Sequence, residues 1–242
     1  MRKLGFLPML MVFVLLPINV AHAYNFIVTE AEYSSWSVEC QGMYAFTQIG
    51  KMQGYARNYS AADIERWRVF GERNGGAWHY CAGKVLLTRA SLELDAQKRK
   101  KFLERAVNET GFSYGGMKDG AEWASEIAAT YATALAKVGR DSEAEKIFEK
   151  AIQLQPRNSV GYLQAYLYYK NGGKDKFALD ILLKGDEAMQ KKSSEIAYFL
   201  GLYYVDKGEV SIAEEYAERA YSLGYPLQGL RNKLAEKKDK GK

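Results

Sequence analysis

The chain has 242 residues, 48% hydrophobic and 26% charged, with a formal net charge of +5. That length supports one sizeable core or one extended solenoid. No clustered cationic groove of the kind that nucleic acid requires is visible, and no apolar run after the first is long enough to cross a bilayer.

Met-Arg-Lys opens the chain, an apolar run follows from Leu4 to Val20, and Ala21-His22-Ala23 closes it with small residues. This is the order of a secretory signal peptide. Cleavage is expected between Ala23 and Tyr24, which places the mature chain in the periplasm or outside the cell. An uncleaved anchor is the alternative, and Pro8 and Pro17 argue against a regular spanning helix. Two cysteines, Cys40 and Cys81, in a chain bound for an oxidising compartment favour a disulfide.

Residues 24–75 are expected to form an N-terminal helical cap of two helices. Tyr33, Trp36, Met43, Phe46 and Ile49 belong to the first. Ser60 with Asp63 starts the second, which carries Ile64, Trp67, Val69 and Phe70. Residues 76–110 suggest a helix over His79–Thr88, with Gly83 where a neighbour comes close. A long connection at Leu94–Lys98 and a second helix with Phe102, Leu103 and Ala106 follow. Gly111–Gly116 is expected to be a loop.

The segments 125–158, 159–192 and 194–226 repeat a two-helix pattern with steps of 34 and 35 residues. In the first, Ala132 and Leu135 precede the turn Gly139-Arg140-Asp141. Ala144, Phe148 and Ala151 then fall on one helical face, and Pro156 stops the helix. The second has Tyr162, Tyr166 and Tyr169, a Gly172-Gly173 turn, then Ala178 and Leu182. The third has Leu200, Gly201, Tyr204, Gly208, Ala213 and Ala220. Leu227, Leu230 and Leu234 make one stripe, read as a capping helix ahead of a basic tail within 227–242.

On these residues the three segments resemble the tetratricopeptide repeat (TPR) family, whose period is about 34 residues; 76–110 resembles a degenerate copy. Departures stand at Gly185, where the family prefers Ala, at Gln190, where it prefers Pro, and at Ala217, where it prefers an aromatic. Cys40, Trp78-His79-Tyr80-Cys81 and Leu223-Gly224-Tyr225-Pro226-Leu227 are similar to exported TPR proteins of Gram-negative bacteria with no defined activity. The resemblance implies an all-α solenoid of antiparallel helix pairs. It also implies no cofactor, and a protein or peptide partner held on the concave side. Carried over by position, the groove residues are Tyr80, Lys84, Ala129, Thr133, Leu163, Leu167, Tyr198 and Leu202, flanked by Glu126, Lys137, Lys170, Glu195 and Asp206. Tyr80 and Tyr198 equally suit packing between repeats. An adaptor or assembly factor of the cell envelope is the expected role.

Enzymatic chemistry finds little support. Gly111-Phe112-Ser113-Tyr114-Gly115 fits Gly-x-Ser-x-Gly, but a nucleophile elbow needs a preceding strand. His79 with Cys40 and Cys81 lacks zinc-ligand spacing, so no metal site is expected. Two rival readings remain. One is a homodimer or larger homo-oligomer whose groove is filled by the tail Leu227–Leu234. The other is a small envelope hydrolase built from residues 24–75 and Gly111–Gly116.

Overall fold

Within the three repeated helix pairs each turn is closed by the same hydrogen bonds, and glycine makes them possible. The structure is a computed structural model and describes residues 26–240. The expected signal peptide, Met1–Ala23, lies outside the described residues. Three helix pairs follow one another: α7 (Ala124–Lys137) with α8 (Asp141–Leu154), α9 (Ser159–Asn171) with α10 (Asp175–Ala188), and α11 (Ser194–Lys207) with α12 (Val210–Ser222). In the first turn Gly139 sits at φ 79°, and the Arg140 N–H reaches back to the Leu135 carbonyl at 3.0 Å. Gly173 at φ 70° and Gly208 at φ 81° repeat this, with Lys174 N–H on Tyr169 and Glu209 N–H on Tyr204, each at 2.9 Å. A residue with a Cβ resists the left-handed conformation, whereas glycine adopts it freely.

Within the first pair Ala132, Ala144, Phe148 and Ala151 are buried together with Leu135. The same register buries Leu182 in α10 and Ala217 in α12. Ala217 tolerates its small size because Tyr216 beside it stacks on Tyr204, ring centroids 5.5 Å apart. The departure at Gly185 also has a local cause: a Cβ there would lie 2.9 Å from the Tyr162 ring. First helices meet along the stack, α7 touching both α5 (Trp78–Leu92) and α9, and α9 touching α11. Among the described residues the second helices approach one another less closely, and α12 is tied to α10 by Arg219, which donates to both Asp186 oxygens at 2.8 Å. Closer approach on one side curves the stack, which puts the first helices on its inner wall.

Upstream, α5 pairs with α6 (Ala96–Gly116) as a fourth unit. Two expectations are corrected here. The connection is only Glu93-Leu94-Asp95, and Gly111–Gly116 is the last part of α6 rather than a loop. Local glycine content was outweighed by tertiary burial: Thr110 and Ser113 are fully buried against α5, and the Ser113 hydroxyl accepts from Tyr80 N–H at 3.0 Å. That bond also serves the start of α5, which has no side-chain cap of its own.

The cap is more broken than two helices. It comprises α1 (Glu30–Ser35), α2 (Val38–Ala45), α3 (Gln48–Met52), a 3₁₀ turn at Tyr55–Asn58 and α4 (Ala61–Arg73). Ser37 and Thr47 side chains accept the backbone N–H of Cys40 and Gly50. These hydroxyls start new helices where periodicity alone suggested one continuous helix. The Cys40–Cys81 disulfide joins α2 to α5, with Cα atoms 5.8 Å apart. Around it lie Met43, Trp67, Ala77, Tyr80 and Ile127.

A second tie is ionic. Arg89 of α5 donates to both Glu32 oxygens, at 2.7 and 2.6 Å, and these hydrogen bonds hold the Glu32 carboxyl below its ordinary value. A carboxylate favoured by the fold contributes stability above its unfolded pKa of about 4.3, and loses it as pH falls through the lowered folded value. Glu32→Gln is therefore expected to lower the urea midpoint at neutral pH and to converge with wild type toward about pH 3.

At the other end α13 (Gly229–Lys240) packs on α11 and α12. Leu230 and Leu234 are buried as expected, but Leu227 precedes the helix and is 59% exposed. Among the described residues there is no strand, only an isolated bridge between Asn74 and Met117.

Candidate protein-binding surfaces

The inner wall is less open than the sequence suggested. Ala129 is completely buried, and Tyr80 and Tyr198 are 7% exposed each. Tyr80 sits edge-on to Trp123 at 5.6 Å, and burial, with the charge of Glu126, pushes its hydroxyl up to about 12. Tyr198 is stacked beneath Tyr225 at 4.1 Å. These three residues pack within the fold. Lys84 is exposed, its ammonium 5.4 Å from the Tyr80 ring. Thr133, Leu163, Leu167 and Leu202 are half-buried. Thr133 and Leu167 border a hollow of about 460 Å³ between α7, α8 and α9.

Flanking charges are largely spent on neighbouring repeats. Glu126 accepts from Asn158 at 2.9 Å, Glu195 from Ser159 at 2.5 Å, and Lys170 pairs with Asp206 at 2.7 Å. Asp206 is also bound by Lys233 of α13 at 3.0 Å. These links fix the stack, while Lys84 and Lys137 stay exposed.

A more open apolar cleft lies at the N-terminal end, with a volume of about 660 Å³. Met43 and Phe46 come from α2 and its cap, Ile64 and Trp67 from α4, Trp78 from α5 and Phe112 from α6. Its floor at Gly75, Gly76 and Gly116 is bare backbone. Three devices hold the walls. The disulfide pins α2 to α5. The buried Asn74 amide donates to the Phe70 carbonyl at 3.0 Å and accepts from Trp123 N–H at 2.8 Å. The Ser113 hydroxyl donates to the Gly76 carbonyl at 3.2 Å. Ile64 and Phe112 are 42% and 60% exposed, which is unusual for side chains of that size facing one hollow. Lys51 and Lys118 stand exposed on the rim. Arg68, also on the rim, is held between Glu65 and Glu72 at 2.7 and 2.5 Å.

This cleft is not legible in the sequence. Met43, Phe46, Ile64 and Trp67 are apolar there, and their spacing suggests cover for the first repeat. Phe112 stood in the segment read as a loop. A helical reading through Gly116 would have put Phe112 one turn from Asn108 and Gly116, on the outer side of α6.

The cleft joins the two segments that a hydrolase reading required, but not its chemistry. Ser113 is fully buried and its hydroxyl is committed to Tyr80 N–H and the Gly76 carbonyl. His79 Nδ1 lies 2.7 Å from Glu109, and its ring is sandwiched by Trp78 and Phe112 at 3.8 and 4.2 Å. Among the described residues no group of His, Cys, Asp and Glu could hold a metal ion, and no helix is long and apolar enough to cross a membrane.

No protein-family model and no curated protein sequence matches the chain. Among solved structures it is similar to YrrB, described as a TPR protein with an unusual peptide-binding site. That match has 17% identity, covers 89% of this chain and 99% of YrrB, and has a TM-score of 0.44. It is also similar to a double mutant of MamA (MamA RS-1 ArsTM), at 19% identity over 66% of this chain and 84% of that one, TM-score 0.43. The all-α, TPR-like character rests on the chain's own helix pairs, turns and register.

Proposed function

We propose that this chain is an exported, non-catalytic scaffold of the cell envelope that docks an apolar segment of a partner protein, flanked by acidic residues, into the N-terminal cleft. The observation that carries this reading is the open aromatic cleft with Lys51 and Lys118 on its rim. Large rigid aromatics in a pre-formed hollow give binding energy with little ordering cost. Unpaired rim cations select the sign of the flanking charge and speed encounter. The export setting is supported by the leader pattern in residues 1–23 and by the disulfide. The inner wall supplies a second, weaker contact through Leu163, Leu167, Thr133, Lys84 and Leu202, which keep exposed surface.

A displayed peptide library panned on the chain from Tyr24 onward tests this. Enriched peptides are expected to carry an aromatic or Leu next to Asp or Glu. Phe112→Glu is expected to weaken them at least about tenfold, because it puts a carboxylate into the apolar contact. Leu163→Glu with Leu167→Glu is expected to cost less than about threefold. Enrichment of basic peptides, or loss only in the Leu163/Leu167 variant, would move the site to the inner wall and overturn the cleft assignment. Self-association lost on Phe112→Glu would name a second copy as the occupant instead.

A further inference from the structure

At the end of the α5–α6 pair away from the cleft, the chain shows an arrangement that its own stability does not explain. Leu92 and Leu94 are 75% and 93% exposed at the tip of the hairpin. Lys98, Arg99, Lys100 and Lys101 follow directly, all exposed, around the start of α6. Cations are disfavoured at a helix N-terminus, where the backbone dipole presents positive charge. No acidic residue occupies that first turn. The acids nearby are turned to the backbone: Asp95 accepts from Lys98 N–H at 2.8 Å and Glu93 from Asp95 N–H at 3.0 Å. Among the described residues only Lys100 of the four cations has an acidic side chain in reach, Glu104 at 3.7 Å, and Arg99 donates to the Glu93 carbonyl at 3.3 Å. Ile27, 60% exposed, joins this end, its carbonyl held by Arg89 at 2.9 Å.

We propose that this tip docks on an anionic lipid surface. The leucines, with Ile27, enter the boundary between headgroups and acyl chains, and the four cations meet lipid phosphates. An exposed apolar point ringed by a cationic run matches that layered chemistry. A protein groove would bury the leucines but leave the cations unmatched. An anionic polymer would match the cations but leave the leucines in water. The 15 residues of α5 separate tip from cleft by about 22 Å at 1.5 Å per residue. A chain seated by its tip thus holds the cleft away from the membrane, free for a partner. The proposal is independent of what the cleft binds.

Co-sedimentation of the chain from Tyr24 onward with vesicles decides it, at low salt. One set contains one part phosphatidylglycerol to two parts phosphatidylcholine, and the other phosphatidylcholine alone. Wild type is expected to pellet with the first and not with the second. Leu92→Ser with Leu94→Ser is expected to weaken binding at least about tenfold. Neutralising the run (Lys98→Gln, Arg99→Gln, Lys100→Gln, Lys101→Gln) is expected to weaken it about fivefold per cation. All six positions are exposed, and an unchanged circular dichroism melt confirms that each variant folds. The tail variant Lys237→Gln, Lys238→Gln serves as the comparison and is expected to bind within about twofold of wild type. Failure of wild type to bind anionic vesicles would overturn the proposal. So would an equal loss in the tail variant. Loss in the cation variant with none in the leucine variant would assign the tip to an anionic polymer and equally overturn it.

Discussion

Replacing Cys40 and Cys81 together by alanine is expected to destabilise the cap by about 4 kcal/mol. The bridge closes a loop of 41 residues, and the chain-entropy relation gives that figure for a loop of such length. Both sulfurs are buried, Cys40 at 3% and Cys81 at 0% exposure, so alanine also removes apolar contact with Met43 and Trp67 in the same cluster. The loss should be local. The cap reaches the solenoid through α2 against α5, through the Glu32–Arg89 pair and through Phe70 and Asn74 against Trp123, whereas α7 to α12 hold each other. Stacked units respond to their nearest neighbours. Hydrogen exchange is therefore expected to lose protection over α1–α4 while α7–α12 keep theirs. The cleft draws its walls from both sides of the bridge, so peptide binding should fall with the cap. Equal loss of protection through α7–α12 would show one cooperative unit and refute the local picture.

The parts legible in sequence were those written by short-range chemistry. Gly139, Gly173 and Gly208 announced three turns because their backbone conformation needs glycine. Ala144, Phe148 and Ala151 announced a shared face because their spacing is helical. The cysteines announced their bridge through their even number together with the expected export. What failed was set by distant partners. Gly111–Gly116 has loop composition, yet Thr110 and Ser113 bury against α5 and carry the helix through. The cap was expected as two helices because its apolar residues suggest long stripes, while Ser37 and Thr47 restart the backbone. The groove positions were placed by analogy of register. Register puts a residue on the inner side of its helix but is blind to what else lands there, as Trp123 does on Tyr80 and Tyr225 on Tyr198. The candidate site suffered most, because a cleft is built by three or four elements at once and no single segment encodes it.

Phe148→Ala is expected to cost about 3–5 kcal/mol, the range for removing a fully buried aromatic. Phe148 is 1% exposed in the cluster that includes Ala132, Leu135, Ala144 and Ala165, with Tyr168 of α9 packed at 5.3 Å between ring centroids. It fills its own helix pair and also touches the next, so its removal weakens the joint between α7–α8 and α9–α10. In a one-dimensional stack, a weakened joint lets the two sides unfold separately. A chemical denaturation curve followed by circular dichroism is expected to broaden or split, with the α9–α13 portion melting first. The contrast is Phe177→Ala, whose ring is 59% exposed and stacked on Tyr169 at 5.7 Å. That change should cost less than about 1 kcal/mol and leave a single transition, since little apolar area leaves water there. Leu182 repeats the Phe148 position one unit later, and Leu182→Ala is expected to cost about 2–5 kcal/mol. Similar small losses for Phe148→Ala and Phe177→Ala would mean that the repeated register does not carry the stack, and the solenoid reading would fail with it.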